Sequence, residues 1–375
     1  MSISTAPQFK HFQVPERLLM GPGPSNISTS VEKALGQPLI GHLDPQFLVL
    51  MNEVQEMLQY AFQTKNKLTI PVSGTGSAGM EAIFANLVEP GDKVLVCQNG
   101  LFSGRMVEMI EKLGGNVATI QKPWGEVFSK EEIAKKMDEE KPQFLALVHA
   151  ETSTGAQQPM DGIGEIAASH GALMIMDCVT SLAGTPVKID EWGVDAAYSG
   201  TQKCLSVPPG LSPITISERA SKKIADRKSK IPTWYLDLSK VASYWGSERA
   251  YHHTAPISMN YALHEGLREV CEEGLENRWH RHMENHLYLA ERLGKMGFKF
   301  VAAKENRLPQ LNAVYIPEQY NDAAVRSRLL EDFQIEIGGG LGEFKGKVWR
   351  IGLMGETSKK ENVDRLIEAL NSCLA

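Results

Sequence analysis

Short apolar runs alternate with longer amphipathic segments between residues 68 and 216. The amphipathic segments predict helices at Met80–Leu87, Met106–Leu113, Lys130–Met137 and Ile163–Ser169. The apolar runs predict strands at Leu68–Val72, Lys93–Cys97, Phe144–Val148, Leu173–Met176, Ala196–Ser199 and Ser212–Ile216. Nearly continuous apolar strands separated by helices are typical of sheets covered on both faces. This part of the chain therefore predicts a mostly parallel α/β sheet, with ligands bound beyond the carboxyl ends of its strands.

The pattern changes after Pro256, where a long helical segment, Ser258 to Leu293 with Gly274 inside it, begins. Predicted strands follow at Phe298–Val301, Leu311–Ile316, Ile335–Ile337 and Val348–Ile351, with helices at about 321–333 and 358–372. We therefore expect three parts: an N-terminal arm (1–20), a large domain (21–280) and a smaller C-terminal α+β domain (281–375).

Composition narrows the class of protein. The 375 residues, 42% of them hydrophobic, suffice for a large core and a second, smaller domain. The formal net charge is −6 and no basic block stands out, so neither nucleic acid nor an anionic membrane is an expected partner. Five cysteines without a Cys-x-x-Cys pair predict free thiols and no metal site. Without a secretory signal, a membrane-length apolar run or a peroxisomal Ser-Lys-Leu ending, a cytoplasmic location is expected.

One lysine follows the run Ala196–Ser199. The chain continues as Gly200-Thr201-Gln202-Lys203 and reaches Pro208-Pro209-Gly210, which cannot continue a helix. This predicts a buried strand that presents Lys203 at its carboxyl end. Such a lysine is either a solvated loop charge or an amine kept for covalent chemistry.

A glycine-rich turn, Gly74-Thr75-Gly76-Ser77-Ala78-Gly79, lies between a predicted strand and a predicted helix. A dinucleotide site would also need an acid after the next strand, where this chain has Gln98-Asn99. The turn is therefore either a phosphate site at a helix N-terminus or a tight connection without a ligand.

An acid ends the apolar run before Cys178. A carboxylate there, Asp177, needs a positive partner, unless it caps a helix or forms a structural ion pair. Asp177 and Lys203 end successive strands, and the glycine turn lies at the same end of the sheet. A buried amine, a buried acid and a phosphate site suit pyridoxal 5′-phosphate, whose aldehyde bonds a lysine and whose pyridine nitrogen needs an anion.

The chain from about residue 15 to the C-terminus resembles the class V, fold-type I aminotransferases, and closely the alanine–glyoxylate/serine–pyruvate aminotransferase group. The resemblance implies a large domain with a seven-stranded type of sheet and dependence on pyridoxal 5′-phosphate. The motifs behind it are Gly21–Asn26, Ser73–Gly76, His149–Gly155, Asp177, Ser199–Lys203, Tyr251–Thr254 and Gly346–Gly352.

The same resemblance implies roles around the cofactor ring. Lys203 would form the Schiff base and Asp177 would pair with the pyridine nitrogen. Val179 would pack on one ring face and Phe102 on the other, where many relatives carry tryptophan. Thr152 would lie near the ring hydroxyl.

Two further sets of residues are implied in the same way. The phosphate ligands would be Thr75, Gly76, Ser77 and Gln202, together with Tyr251 and Thr254 of a neighbouring subunit. A homodimer with shared active sites follows from that last pair. Arg350, which on a strand is usually a solvated residue, would bind the substrate carboxylate with the backbone near Gly23.

For several other polar residues the sequence predicts no functional role. His42 and Asp44 could line the substrate entrance, or Asp44 could cap the helix that begins at Pro45. Cys204 adjoins Lys203, but buried cysteines are common. His252 and His253 are adjacent, and side chains that alternate along an extended segment would not share a metal ion.

The predicted reaction transfers an amino group from alanine or serine to a 2-oxo acid such as glyoxylate or pyruvate. The freed Lys203 would move the proton between the substrate α-carbon and the cofactor. Serine–glyoxylate, kynurenine and 3-hydroxykynurenine transamination are alternatives. A pyridoxal-phosphate lyase or desulfurase is another, although residues 272–372 contain no cysteine to act as a desulfurase nucleophile. The missing ribose acid disfavours a nicotinamide-dependent dehydrogenase, and a non-catalytic cofactor-binding protein stays open.

Overall fold

The computed structural model describes residues 6–375. Its strands are β1 (Leu18–Leu19), β2 (Leu68–Ser73), β3 (Lys93–Gln98), β4 (Asn116–Gln121), β5 (Phe144–Val148), β6 (Ala150–Glu151), β7 (Ala156–Gln157), β8 (Leu173–Asp177), β9 (Ala196–Tyr198), β10 (Leu211–Ile216), β11 (Leu311–Tyr315), β12 (Ile335–Glu336), β13 (Gly338–Gly339) and β14 (Val348–Gly352). Its α-helices are α1 (Thr29–Leu35), α2 (Pro45–Phe62), α3 (Gly76–Leu87), α4 (Leu101–Lys112), α5 (Lys130–Glu140), α6 (Ile163–Ser169), α7 (Glu218–Ala225), α8 (Leu238–Trp245), α9 (Ile257–Glu273), α10 (Leu275–Lys295), α11 (Asp322–Phe333) and α12 (Lys360–Leu374). Short 3-10 turns lie at Lys304–Asn306, Gly342–Phe344 and Gly355–Thr357.

A seven-stranded sheet forms the centre of the molecule, in the order β2-β10-β9-β8-β5-β3-β4. Strand β10 is antiparallel to both of its neighbours, and every other pair is parallel. All residues of β5, β8, β9 and β10 are buried, because helices cover both faces. The predicted α/β class and mostly parallel sheet are confirmed.

The strand of the central sheet that the sequence pattern did not predict is β4. It pairs with β3 at the edge of the sheet, and its burial runs from exposed ends to a half-buried middle. An edge strand carries polar residues that blur the apolar signal. The pattern therefore found six strands of a seven-stranded sheet.

The topology brings several strand ends to one edge of the sheet. Asp177, the last residue of β8, lies opposite Val148 of β5 and Tyr198 of β9. Strand β2 runs parallel to β9, because each is antiparallel to β10, so the glycine turn after Ser73 reaches the same edge. This edge is where the predicted acid, lysine and glycine turn meet.

The long helix predicted after Pro256 is two helices, α9 and α10. Gly274 separates them with a φ of +78°, a conformation that costs glycine little and other residues more. The predicted helical segment is confirmed, and the structure adds the break at Gly274, because a glycine in the sequence does not reveal its backbone angle. Helix α10 runs continuously across residue 280, where the sequence analysis placed the boundary between the predicted domains.

The C-terminal part has its own apolar core and a three-stranded sheet, β11-β14-β13. The prediction of a strand at 298–301 is wrong, because the structure has only an isolated β-bridge there, between Phe300 and Val314. Near the N-terminus, β1 pairs with β12 in parallel, and Met20 is fully buried in this core. Among the described residues no helix has the length and apolar character needed to cross a bilayer.

Candidate active site

A cavity opens at the carboxyl edge of the central sheet. It collects residues from four strand ends and from the first turns of α3 and α4. The predicted site residues that line it are Thr75, Gly76, Ser77, Phe102, Thr152, Asp177, Val179, Gln202 and Lys203. Residues from five separate stretches of sequence therefore meet in one place.

Lys203 lies on the loop after β9 and is only 8% exposed. Its ammonium group donates to the carbonyl of Pro22, and its own carbonyl accepts from the Ser25 hydroxyl at 2.9 Å. Burial, with a smaller contribution from the Arg350 charge, lowers the pKa of Lys203 to about 8. A sizeable fraction of this amine is thus neutral, and so nucleophilic, near physiological pH.

Asp177 ends β8 in a buried position. Its carboxylate accepts a hydrogen bond from the Val179 amide at 2.8 Å. Burial raises the pKa of Asp177 to about 7, because an apolar environment disfavours the charged form. A cation placed against this carboxylate would be held strongly.

The glycine turn leaves the first turn of α3 open to the cavity. Gly74 adopts a φ of +144° and donates its N–H to the Gly210 carbonyl at 2.9 Å. Thr75 caps α3 without using its side chain, so helix N–H groups remain available to an anion. A side chain at Gly76 would press against Val179, at 3.4 Å from its Cγ2. The buried Oε1 of Gln202 has no partner among the described residues.

Arg350 projects from β14 at the edge of the cavity and is 7% exposed. Its Nε donates to the Gly339 carbonyl at 2.7 Å, and Nη1 donates to the Thr152 carbonyl at 3.3 Å. Burial lowers the pKa of Arg350 to about 10, which leaves it cationic at neutral pH. These two bonds fix the guanidinium, and Nη2 has no hydrogen-bond partner among residues 6–375.

Gly23 lies directly against the lysine. Its φ is +110°, and a Cβ there would come within 2.7 Å of the Lys203 Nζ. Only glycine allows this approach, so the Gly-Pro turn lies beside the reactive amine and is more than a distant loop.

Tyr251 and Thr254 do not reach this cavity in their own chain. Both are exposed, Tyr251 at 62%, and the Tyr251 ring contacts His42 at a centroid distance of 5.3 Å. The structure therefore separates them from the other predicted cofactor residues.

Glu151 is a site residue that the sequence analysis did not single out. It is buried, and its carboxylate accepts from the amides of Phe102 at 3.1 Å and Ser103 at 3.4 Å, and from the Ser153 hydroxyl at 2.6 Å. A side chain at Gly100 would overlap this carboxyl group. Glu151 thus anchors the first turn of α4, which carries Phe102. Its place inside the motif His149–Gly155 was the available signal.

The adjacent histidines are closer than predicted. The Nδ1 atoms of His252 and His253 are 2.7 Å apart, and His253 Nε2 lies 2.8 Å from the Ser73 hydroxyl. The prediction that their side chains diverge is wrong, because the chain bends here instead of staying extended. Across residues 6–375, no group of three or more His, Cys, Asp or Glu side chains is placed to hold a metal ion.

Two other open assignments are decided by hydrogen bonds. Asp44 caps α2, because its Oδ1 accepts from the Gln46 amide at 2.8 Å and Pro45 occupies the first helical position. Cys204 is fully buried, its thiol donates to the Thr180 carbonyl at 3.3 Å, and burial raises its pKa to about 12. Both contacts are structural.

Comparisons with known proteins agree with this geometry. The sequence model of the family "Aminotransferase class-V" matches residues 29–366. The chain is 42% identical to mouse alanine–glyoxylate aminotransferase (97% of this chain, 89% of the relative) and 41% identical to (S)-ureidoglycine–glyoxylate transaminase of Bacillus subtilis strain 168 (96% and 91%). The crystal structure of alanine–glyoxylate aminotransferase from Nostoc sp. superimposes with a TM-score of 0.97 at 54% identity and 98% coverage of both chains.

These matches span nearly the whole chain. The protein belongs to the class-V aminotransferase family, whose members depend on pyridoxal 5′-phosphate, and it has the fold-type I architecture. It is an aminotransferase.

Proposed function

We propose that this chain binds pyridoxal 5′-phosphate through Lys203 and transfers the amino group of a small L-amino acid to glyoxylate or a similar 2-oxo acid. The observation that carries this proposal is the single cavity in which a buried amine, a buried acid and an open helix N-terminus converge. The relatives named for glyoxylate transamination support the acceptor.

The described residues fit the cofactor. The free N–H groups of α3 and the unpartnered Gln202 amide suit a phosphate, since the amide can turn its NH2 group inward. Asp177 suits a protonated pyridine nitrogen, and Val179 and Phe102 line the space for a flat ring. When bound, the cofactor supplies an electron sink for negative charge on the substrate α-carbon.

Three side chains of the protein have separate roles in the proposed reaction. Arg350 binds the substrate α-carboxylate through its free N–H groups, while Gly339 and Thr152 hold the guanidinium in place. Lys203 Nζ, as a neutral amine, would take the proton from the substrate α-carbon and pass it to the cofactor in the same half-reaction, and would move a proton in the opposite direction in the reverse half of the cycle. Asp177 keeps its negative charge opposite the ring nitrogen throughout.

The proposed site includes a second copy of the chain. Tyr251 and Thr254 are exposed and do not line their own cavity, which is the placement expected if they complete the phosphate site of a partner. The arm residues Phe9 and Phe12 are each 88% exposed and offer further apolar surface to such a partner. The five free cysteines support the proposed reducing, cytoplasmic location.

A half-reaction screen tests this proposal. Cofactor-loaded protein is mixed separately with alanine, serine, kynurenine and (S)-ureidoglycine, and the visible absorbance of the bound cofactor is followed before glyoxylate or pyruvate is added. We expect alanine or serine to bleach the protein and glyoxylate to restore the colour. (S)-Ureidoglycine belongs in the screen because the relative named for this donor is 41% identical to the chain, close to the 42% of the relative named for alanine.

Two lysine variants test the proposed role of Lys203. Lys203→Ala should abolish the lysine-bound cofactor spectrum and lower turnover by at least about 10²-fold, because both bond formation and proton transfer are removed. Lys188→Ala is the matched control, since Lys188 pairs with Glu191 at the surface, away from the cavity. Full activity in Lys203→Ala would falsify the proposal.

A further inference from the structure

The phosphate end of the cavity lacks a cation among its proposed ligands. The ligands that this chain contributes are backbone amides, two hydroxyl groups and the Gln202 amide, all of them neutral. A phosphate monoester carries a charge of about −1.5 to −2 near neutral pH. Lys203 does not neutralise it, because that amine is committed to the cofactor aldehyde at the other end of the ring.

Arg105 is a cation at this end of the cavity that has no assigned role. It lies on α4, three residues after Phe102, and lines the cavity. Its Nη1 donates to the Ser77 hydroxyl at 3.2 Å, and its Cζ lies 5.0 Å from the centroid of the Phe102 ring. Ser77 belongs to the first turn of α3, so the guanidinium stands beside the helix N-terminus proposed to hold the phosphate.

The other surroundings of Arg105 leave its donors available. Within residues 6–375 Arg105 forms no salt bridge, and its only hydrogen bond is the one to Ser77. A guanidinium carries five N–H donors in a planar fork that matches two phosphate oxygens. A half-buried arginine with most donors unused, beside an anion site without a cation, is placed to bind the anion.

We propose that Arg105 is a phosphate ligand of the cofactor and that the Ser77 hydroxyl orients its guanidinium. This inference rests on the proposed binding of pyridoxal 5′-phosphate. Arg105 supplies the positive charge that the α3 amides, Thr75 and Gln202 do not. Its contact with the Phe102 ring also couples the phosphate site to the residue proposed to stack on the cofactor.

The test compares two cofactor forms that differ only in the phosphate. Dissociation constants of the cofactor-free protein are measured for pyridoxal 5′-phosphate and for pyridoxal, by titration of visible absorbance. The variants are Arg105→Gln, Arg105→Lys and Ser77→Ala. Lys112→Gln is the matched control, because it removes a charge from the exposed far end of the same helix.

We expect Arg105→Gln to weaken pyridoxal 5′-phosphate binding about 10- to 100-fold and to leave pyridoxal binding nearly unchanged. Arg105→Lys should recover part of the loss because it keeps the charge, Ser77→Ala should show a smaller loss, and the control should match the wild type. Equal weakening for both ligands would show that Arg105 acts only through Phe102 or the fold, and would overturn the inference. Unchanged binding of pyridoxal 5′-phosphate by Arg105→Gln would also overturn it. If the wild-type protein binds neither ligand, the proposed function itself fails.

Discussion

Lys203 and Asp177 show how one environment acts on opposite charges. Burial lowers the pKa of the lysine to about 8 and raises that of the acid to about 7. Desolvation disfavours the charged form of either group, so in the cofactor-free protein both shift toward neutrality. A neutral Lys203 is the nucleophile, and the cofactor ring nitrogen offers Asp177 the positive partner that restores its charge. The same burial thus prepares each residue for its proposed role.

This pairing predicts the pH dependence of cofactor capture. Only the neutral amine attacks, so the capture rate should rise about tenfold per pH unit below pH 8 and level off above it. Stopped-flow absorbance between pH 6 and 10 measures the profile. The Asp177→Asn variant is the control for titration of the neighbouring carboxyl group. Its capture rate should still show a midpoint near pH 8. A midpoint near 10.5, the ordinary lysine value, would show that burial does not activate Lys203.

At the scale of elements, the close packing of α3 on the sheet places the phosphate turn. Gly79 faces β10, and a Cβ there would overlap the Ser212 hydroxyl and come within 3.3 Å of the Tyr198 Cβ. Because no side chain intervenes, the helix lies close to the strands and its N-terminus opens into the cavity. The position of an anion site thus depends on one small residue in the middle of a helix.

Gly79→Ala should therefore destabilise the protein by about 1–3 kcal/mol through overpacking, and should weaken cofactor binding as α3 shifts. Urea denaturation measures the change in the free energy of unfolding, and titration with pyridoxal 5′-phosphate measures the change in cofactor affinity. Gly294→Ala is the matched helix control, because nothing lies within 4 Å of the added methyl group. That variant should be neutral or more stable by up to about 1 kcal/mol. Equal stability of the two variants would contradict the packing argument.

At the scale of the whole molecule, a single chain builds most of the proposed site but not all of it. Lys203 and Asp177 line the cavity of one chain, whereas Tyr251 and Thr254 of the same chain are exposed and do not line it. Two exposed rings, Trp234 at 61% and Tyr235 at 44%, contact the adjacent His252. Large exposed rings close to one another mark surfaces that bind a partner.

Complementation between two inactive variants tests the shared site. Lys203→Ala and Tyr251→Ala chains are produced together, so that a mixed dimer holds one site with both defects and one with neither. If Tyr251 acts across the interface, about one quarter of the wild-type activity should return, since half of the dimers are mixed. If Tyr251 acts within its own chain, every mixed site carries one defect and activity stays at the level of the single variants.

Much of the fold and of the proposed chemistry is readable from local sequence. Buried strands are continuous apolar runs, so six strands of the central sheet and their order along the chain follow from the pattern. Asp177, Lys203 and the turn at Gly74 stand directly after such runs, and the carboxyl ends of parallel strands share one edge. Their proximity therefore follows from topology, without knowledge of any contact.

Only the tertiary structure decided which residues face one another across that edge. Nothing local to Glu151 or Arg105 indicates that the first anchors the helical turn that carries Phe102 and that the second lies beside Ser77. The break at Gly274, the edge strand β4 and the separation of Tyr251 from its own cavity also depend on backbone angles and long-range packing. Sequence periodicity records how deeply a residue is buried, whereas a binding site depends on which partners packing brings to it. The sequence by itself thus determined the class of binding site, whereas the tertiary structure decided which residues form it.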